Sequence, residues 1–207
     1  DALTTGGSNV AIETDALGAD TQGSRAVAVG MNALLRQNFT TATNGYNVAV
    51  GYSAGDHITT GVQNTIVGGL AGDALTDADF NVAVGIGALG SDTLGSRSVA
   101  IGSGALDTQN FTTATNTYNT AVGFEAGTAV TTGRGNTLIG SYAGFSVNTG
   151  TDNTFVGHDS SGEFGAGHLT TTGTGNTYVG AGSGSRMTTG SKNSILGMFD
   201  GNEDGLD

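Results

Sequence analysis

The stretch Asn119-Thr120-Ala121-Val122-Gly123 returns along the whole chain, and the other sequence features keep register with it. We align eleven copies and number each repeat from its first residue, which is position one. Most repeats are 17-residue units, while two are 21-residue units and one is a 23-residue unit. Periods near twenty residues are typical of solenoids, in which each coil packs only against its neighbours. The copies begin at Asn9, Ala26, Asn47, Asn64, Asn81, Ser98, Asn119, Asn136, Asn153, Asn176 and Asn193.

Composition and charge exclude several classes of partner. The chain carries six basic and eighteen acidic residues, a formal net charge of −12. This balance predicts no nucleic-acid partner, because binding to phosphates depends on lysine and arginine. No apolar run approaches the roughly 20 residues that span a bilayer, so we expect no membrane insertion. The absence of cysteine excludes disulfides and thiolate metal sites.

Positions two to four of each repeat read as a short β-strand. Position four is a large aliphatic residue in every copy, and it shares one face of the strand with position two. Stacked coils would form an aliphatic ladder at position four. Position three points to the other face of the strand. An apolar row exposed to water on that face would be unfavourable, which gives a reason for oligomerisation. Position three is alanine in six copies and bulky in the others, at Ile66, Leu138, Phe155, Tyr178 and Ile195.

Small residues at two further positions suggest how each coil turns. Position eight is alanine in the first eight copies and then Ser160, Ser183 and Asp200, which predicts a second strand approaching the first. Position fifteen of a regular coil, the third residue before the next copy, is glycine or asparagine except at Ala78. These residues enter left-handed backbone space at least cost, so we expect the turn of each coil there. The sequence therefore predicts an all-β parallel β-solenoid of about eleven 17-residue coils.

Position one is asparagine in nine copies, which predicts a ladder of side-chain amides bonded from coil to coil. Its two exceptions, Ala26 and Ser98, each follow an arginine and occupy equivalent places in a longer repeat. Residues 9–80 align without a gap on residues 81–152, so a four-coil unit is duplicated. We interpret residues 1–207 as one solenoid domain, with further coils and an acidic end in 153–207.

The three long coils carry insertions, and insertions in a solenoid map to loops that often bind partners. Two loops are nearly identical, and the third runs from His158 to His168. The alternative is that each loop phenylalanine only packs over the edge of its coil. The residues that we predict to contact a ligand are Phe39, Thr40, Phe111, Thr112, His158, Phe164 and His168.

The order Asn-Thr-Ala-Val-Gly, then Glu125-Ala126-Gly127, then Thr131-Thr132-Gly133, resembles the head repeats of trimeric autotransporter adhesins and the related repeats of phage tail fibres and other surface fibres. The resemblance covers almost the whole chain, although the 17-residue period is longer than that of the adhesin heads. It implies a left-handed parallel β-roll in which three chains pack around one axis. It also implies a location outside the cell, on a cell surface or a virion.

We therefore predict a structural and adhesive fibre segment, not an enzyme, that binds a surface receptor or glycan through its loops. One alternative is a filament subunit that stacks end to end, since the terminal coils of a solenoid expose unpaired strands. Another is an ice-binding solenoid, suggested by the Thr-Thr-Gly turns, although the long coils would interrupt a flat threonine array. A glycan hydrolase using Glu125, Asp159 and Glu163 is a weaker alternative.

The acidic end contains the one string that resembles a metal site. Asp200, Asn202 and Asp204 occupy the first, third and fifth positions of a calcium loop, and Gly205 occupies the sixth. The chain ends before the acidic twelfth ligand of such a loop. The alternatives are a calcium site and a charged, solvated terminus.

Overall fold

The computed structural model describes residues 3–159 and 164–201. Eleven short parallel strands, one from each coil, form a single sheet in chain order, which confirms the β-solenoid. The remaining strands form three two-residue pairs: β2 with β4, β8 with β10, and β14 with β15. The strands are β1 (Val10–Ile12), β2 (Gly23–Ser24), β3 (Val27–Val29), β4 (Thr43–Asn44), β5 (Val48–Val50), β6 (Thr65–Val67), β7 (Val82–Val84), β8 (Gly95–Ser96), β9 (Val99–Ile101), β10 (Thr115–Asn116), β11 (Thr120–Val122), β12 (Thr137–Ile139), β13 (Thr154–Val156), β14 (His158–Asp159), β15 (Phe164–Gly165), β16 (Thr177–Val179) and β17 (Ser194–Leu196).

The register of the sheet follows the repeat without a slip. Ala121 of β11 pairs with Leu138 of β12, for example, so that position three meets position three. The 23-residue coil keeps the same register, since Phe155 of β13 pairs with Tyr178 of β16. The insertions therefore leave the strand ladder intact and are accommodated elsewhere in their coils.

Position three, not position four, faces the interior. Every position-three residue from Ala28 to Tyr178 is fully buried, whereas Ile101 and Ile139 at position four are exposed. The expectation that position three lies on the outer side is therefore wrong, and so is the oligomerisation argument built on it. The two faces were hard to distinguish because both rows are apolar. The apolar row on the outside of the solenoid is the one at positions two and four.

The interior is filled by positions three, nine and twelve together. Where position nine is leucine, as at Leu34 and Leu106, position three is alanine. Where position three is bulky, position nine is glycine, and a Cβ added at Gly144 would lie 2.6 Å from Leu138 Cδ2. The bulky residues include Phe155 and Tyr178, whose rings stack with centroids 4.8 Å apart. Four coils with glycine at position nine also bury an aliphatic residue at position twelve, namely Ile58, Leu75, Val130 and Val147. This residue fills the space in the two coils where position three is alanine.

Turns, not a second strand, form the wall opposite the sheet. Position eight is buried as predicted, but residues such as Ala126 and Ala143 lie in a turn between strands. The prediction of two strands back to back is thus wrong. In the ninth coil, Ala166 and not Ser160 occupies position eight, because its carbonyl accepts the N–H of Gly144 as Ala143 accepts that of Gly127. Ser160 itself lies outside the described residues.

The glycines at position fifteen have a different cause from the predicted one. They do not adopt positive φ; the left-handed residues lie at positions seven, nine and seventeen, with glycine and Glu13 at position five also at positive φ. Instead, a Cβ at Gly133 would lie 2.3 Å from the carbonyl oxygen of Gly150. Glycine is therefore needed because neighbouring coils approach closely at this point.

The asparagine ladder is confirmed. Asn64 Oδ1 accepts the N–H of Asn81 at 2.9 Å, and Asn64 Nδ2 donates to the carbonyl of Ala78 at 2.8 Å. Asn64 Nδ2 also lies 3.3 Å from Asn47 Oδ1 of the preceding coil. Each buried amide thus satisfies backbone groups of its own coil and of the next one.

Candidate functional site

One candidate surface is the outer face, which we define as positions two, four and six of all eleven coils. Positions two and four are valine, isoleucine, leucine, threonine or serine, and no Asp, Glu, Lys or Arg occupies any of the three positions. Position six includes exposed Met31, Tyr52, Ile86 and Phe124. All eighteen acidic residues lie elsewhere. An uncharged face on a chain of net charge −12 is typical of a surface that another molecule covers.

The two 21-residue coils bury the phenylalanines that we predicted to contact a ligand. Phe39 is 5% exposed and Phe111 is 7% exposed, so both rings pack over the coil edge. Thr40 and Thr112 are exposed beside them. A ligand at either loop would therefore meet the threonines and not the rings. The binding role of these loops stays a prediction.

A buried polar network, which the sequence analysis missed, holds each of these loops. Asp92 Oδ1 accepts the N–H groups of Gly95 and Phe111, and Asp92 Oδ2 accepts Nε2 of Gln109. Gln109 Oε1 then accepts Nδ2 of Asn119 at 2.8 Å. Burial raises the pKa of the Asp92 carboxyl, although these hydrogen bonds oppose the shift. The first unit repeats the network.

In the first unit, the Asp20 carboxylate accepts the backbone N–H groups of Gly23 and Phe39. The Gln37 side chain bonds to both Asp20 and Asn47. The glutamine occupies the place where the asparagine ladder lacks a member, at Ala26. The sequence contained a signal for this network. In both units, a copy without asparagine at position one occurs together with an aspartate and a glutamine. These carboxylates are fully buried, so their role is to fix the long coils.

The third long coil brings together three of the predicted residues in an aromatic cluster. The hairpin of β14 and β15 places Phe164 5.1 Å from the ring of His168, which stacks on Phe145 at 4.9 Å. Tyr142 joins this stack to Phe124 and to His158. We define the aromatic cluster as Phe124, Tyr142, Phe145, His158, Phe164 and His168. Phe124 and Phe164 are each 44% exposed and His158 is also exposed, so the cluster presents three rings to solvent.

The aromatic cluster occurs once, because the first of the duplicated units lacks it. The counterparts of Phe124, Tyr142 and Phe145 in that unit are Tyr52, Leu70 and Asp73. Of the three predicted hydrolytic carboxylates, Glu125 lies in the preceding turn, whereas the side chain of Asp159 and the whole of Glu163 lie outside the described part of the chain. The hydrolase alternative stays a prediction.

The predicted calcium string is only partly described. Asp200 forms an ion pair with Arg186, with Oδ2 2.9 Å from Nε, whereas Asn202 and Asp204 lie outside the described residues. No group of three or more His, Asp or Glu residues that could hold a metal occurs within residues 3–159 and 164–201. Calcium at this end stays a prediction.

Threonine hydroxyls of the Thr-Thr-Gly turns bond along the solenoid. Thr59 Oγ1 donates to the carbonyl of Thr76, and Thr76 Oγ1 donates to the carbonyl of Thr93. Asn38, Asn110 and Asn148 occupy the same ladder in other coils. The hydroxyl hydrogens of Thr59 and Thr76 are therefore donated within the protein. The ice-binding alternative stays a prediction.

Comparisons with known proteins identify no relative: no family model, no curated protein and no solved structure matches the chain. In the part of the chain that the structure describes, no helix is long and apolar enough to cross a membrane. The fold and its surfaces are therefore the basis for a functional argument.

Proposed function

We propose that this chain is a structural and adhesive segment of an extracellular or virion fibre. The observation that carries the proposal is the uncharged outer face, which runs the length of eleven strands on an otherwise acidic chain. With strands about 4.8 Å apart, the face is roughly 48 Å long. Copies of the chain would bury this face against one another, as a homotrimer or another closed oligomer, and form a stiff rod.

Lateral association through the outer face is tested by charge substitution. The variants Val50→Lys and Val122→Lys place an ammonium group at equivalent sites of the two units, while Thr132→Lys adds the same charge at an exposed residue outside the face. We expect a discrete oligomer for the wild type and for Thr132→Lys, and monomers for both valine variants. Native mass spectrometry and sedimentation at several protein concentrations would measure this.

Two outcomes would argue against that arrangement. A wild-type chain that stays monomeric at high concentration would remove the support for the fibre. Filaments of indefinite length would instead favour the self-assembling subunit, in which β1 and β17, the two edges of the sheet, pair with other copies.

The adhesive part of the proposal is assigned to Tyr142, Phe164 and the rings stacked on them, because Phe124 and His158 of the aromatic cluster lie at position six of the outer face. Exposed rings offer an apolar surface with directional contacts to a surface glycan or receptor. Phe164→Ala and Tyr142→Leu should weaken attachment to the target surface, whereas Leu70→Ala, at the counterpart of Tyr142, should not. Attachment would be measured as retention of the labelled fibre on glycan arrays and on intact cells, and equal retention of all variants would contradict this assignment.

A further inference from the structure

The edge of the solenoid beside the outer face contains a cleft of about 230 Å³. Its lining residues come from three successive coils, and they are Asn116, Thr117, Tyr118, Arg134, Gly135, Thr151 and Asp152. The cleft is separate from the aromatic cluster and from every loop residue that the sequence predicted as a binding residue.

The cleft forms where Gly135 has no side chain in the row made by the last residues of successive coils. The last residue of each coil is Tyr118, Gly135 and Asp152 in succession, all with left-handed φ. Gly135 carries no side chain between the tyrosine and the aspartate, and Asp152 Oδ1 lies 2.5 Å from the place where its Cβ would stand, so the carboxylate borders the cleft at this point. Tyr118 is 61% exposed, so one side of the gap is an open aromatic ring.

The first duplicated unit shows the same site without the gap. The counterparts of Tyr118, Gly135 and Asp152 are Tyr46, Gln63 and Phe80. Gln63 holds the same backbone conformation as Gly135, with φ of 58° against 67°, and supplies the side chain that Gly135 lacks. The counterpart of Arg134 is Val62, so the charged groups of the cleft are also specific to the second unit.

The polar groups at the cleft include both donors and acceptors. Asn116 Oδ1 accepts from Arg97 Nε at 3.1 Å, which orients the asparagine amide. Arg134 and Asp152 supply a guanidinium and a carboxylate, and neither side chain is in an ion pair with another described residue. A carboxylate beside the guanidinium disfavours a simple anion such as phosphate. Ligands whose groups both donate and accept hydrogen bonds, such as hydroxyls, fit this lining.

We propose that this cleft binds one pyranose ring of a carbohydrate. The ring would stack its C–H face on Tyr118, while its hydroxyls bond to Asp152, Arg134 and Asn116. The volume is below the ~300–1,000 Å³ of pockets for drug-sized ligands, which suits a single sugar residue. A single shallow site binds weakly, and copies of the site on one rod would raise the overall affinity through multivalency.

The test is saturation-transfer NMR of the purified chain with methyl glycosides of glucose, galactose, mannose and N-acetylglucosamine. Tyr118→Ala removes the ring, and Gly135→Gln fills the gap with the residue that the first unit carries. Tyr46→Ala is the matched control, because Tyr46 is an exposed tyrosine at the equivalent position. At least one glycoside should bind, and both cleft variants should bind it at least about tenfold more weakly.

Binding that Tyr46→Ala leaves unchanged would support the cleft, with circular dichroism confirming that each variant is folded. The absence of binding by any of the four glycosides would overturn the inference, and so would equal loss in Tyr46→Ala. Saturation-transfer NMR detects binding of the glycoside, whereas the fibre proposal is tested by the mass of the assembly. Failure of one is therefore distinguishable from failure of the other.

Discussion

The duplicated units, residues 9–80 and 81–152, have nearly the same interior and different surfaces. Asp20 and Asp92, Gln37 and Gln109, and Phe39 and Phe111 occupy equivalent buried sites. On the surface, by contrast, Val62 is replaced by Arg134 and Phe80 by Asp152. Because a buried side chain contacts coils on both sides, a change there must be matched by its neighbours, whereas a surface change need not be. The scaffold is thus duplicated, and the two units present different sites.

The largest effect that we expect is from emptying the interior. Leu138→Ala and Ile66→Ala remove equivalent, fully buried side chains, and each should cost about 2–5 kcal/mol in the free energy of unfolding. Urea denaturation followed by circular dichroism would measure both. Ile139→Thr, on the outer face beside Leu138, is the control and should cost clearly less in the isolated chain.

A second substitution tests the pairing of positions three and nine. Gly144→Leu alone should destabilise the protein, because its Cβ would clash with Leu138. Combined with Leu138→Ala, it recreates the arrangement of Ala100 and Leu106 and should recover at least about 1 kcal/mol. Additive losses in the double variant would show that the two positions do not share one space.

The buried carboxyl of the second unit should make stability depend on pH. Since burial raises the pKa of Asp92 from its ordinary value of 3.8, the unfolded chain ionises first as the pH rises. The wild type should therefore lose stability relative to Asp92→Asn as the pH rises above about 4, until the folded carboxyl is also ionised. Thermal unfolding midpoints across this range would show the difference.

Asp15→Asn removes an exposed carboxylate and controls for the change in net charge. If the wild type instead gained stability over Asp92→Asn with rising pH, the hydrogen bonds to the carboxylate would outweigh its burial.

A smaller effect is expected where the two buried networks differ. Ser98 Oγ accepts Nε2 of Gln109 at 2.9 Å and bonds to Thr117 Oγ1, whereas the first unit has Ala26 and Gly45 at these places. Ser98→Ala removes both hydrogen bonds and should cost about 1–2 kcal/mol, since the usual net value of one is about 1 kcal/mol. A cost near zero in the urea midpoint would show that the simpler network of the first unit is equally stable.

The smallest effect is expected at the exposed loop threonines. Thr40→Ala and Thr112→Ala should each change the free energy of unfolding by less than about 0.5 kcal/mol, since both side chains are exposed. The same urea titration would detect a larger loss, which would mean that these threonines stabilise the long coils.

Much of the architecture could be predicted from the repeat. The strands at positions two to four and the asparagine ladder follow from one requirement, namely that identical residues stack in register from coil to coil. The expected turn at Gly133 failed because glycine also serves close backbone approach, and sequence does not distinguish this from positive φ. The sequence predicted three of the six residues of the aromatic cluster, since His158, Phe164 and His168 share one insertion.

The sequence by itself determined the period, the strand positions and the residues that repeat, because these depend only on spacing along the chain. The tertiary structure alone decided which apolar row is buried, since positions three and four are both apolar and the choice depends on space shared with position nine. The cleft likewise depends on the tertiary structure. Tyr118, Gly135 and Asp152 are each separated by a full repeat along the chain, and they become neighbours only when the coils stack.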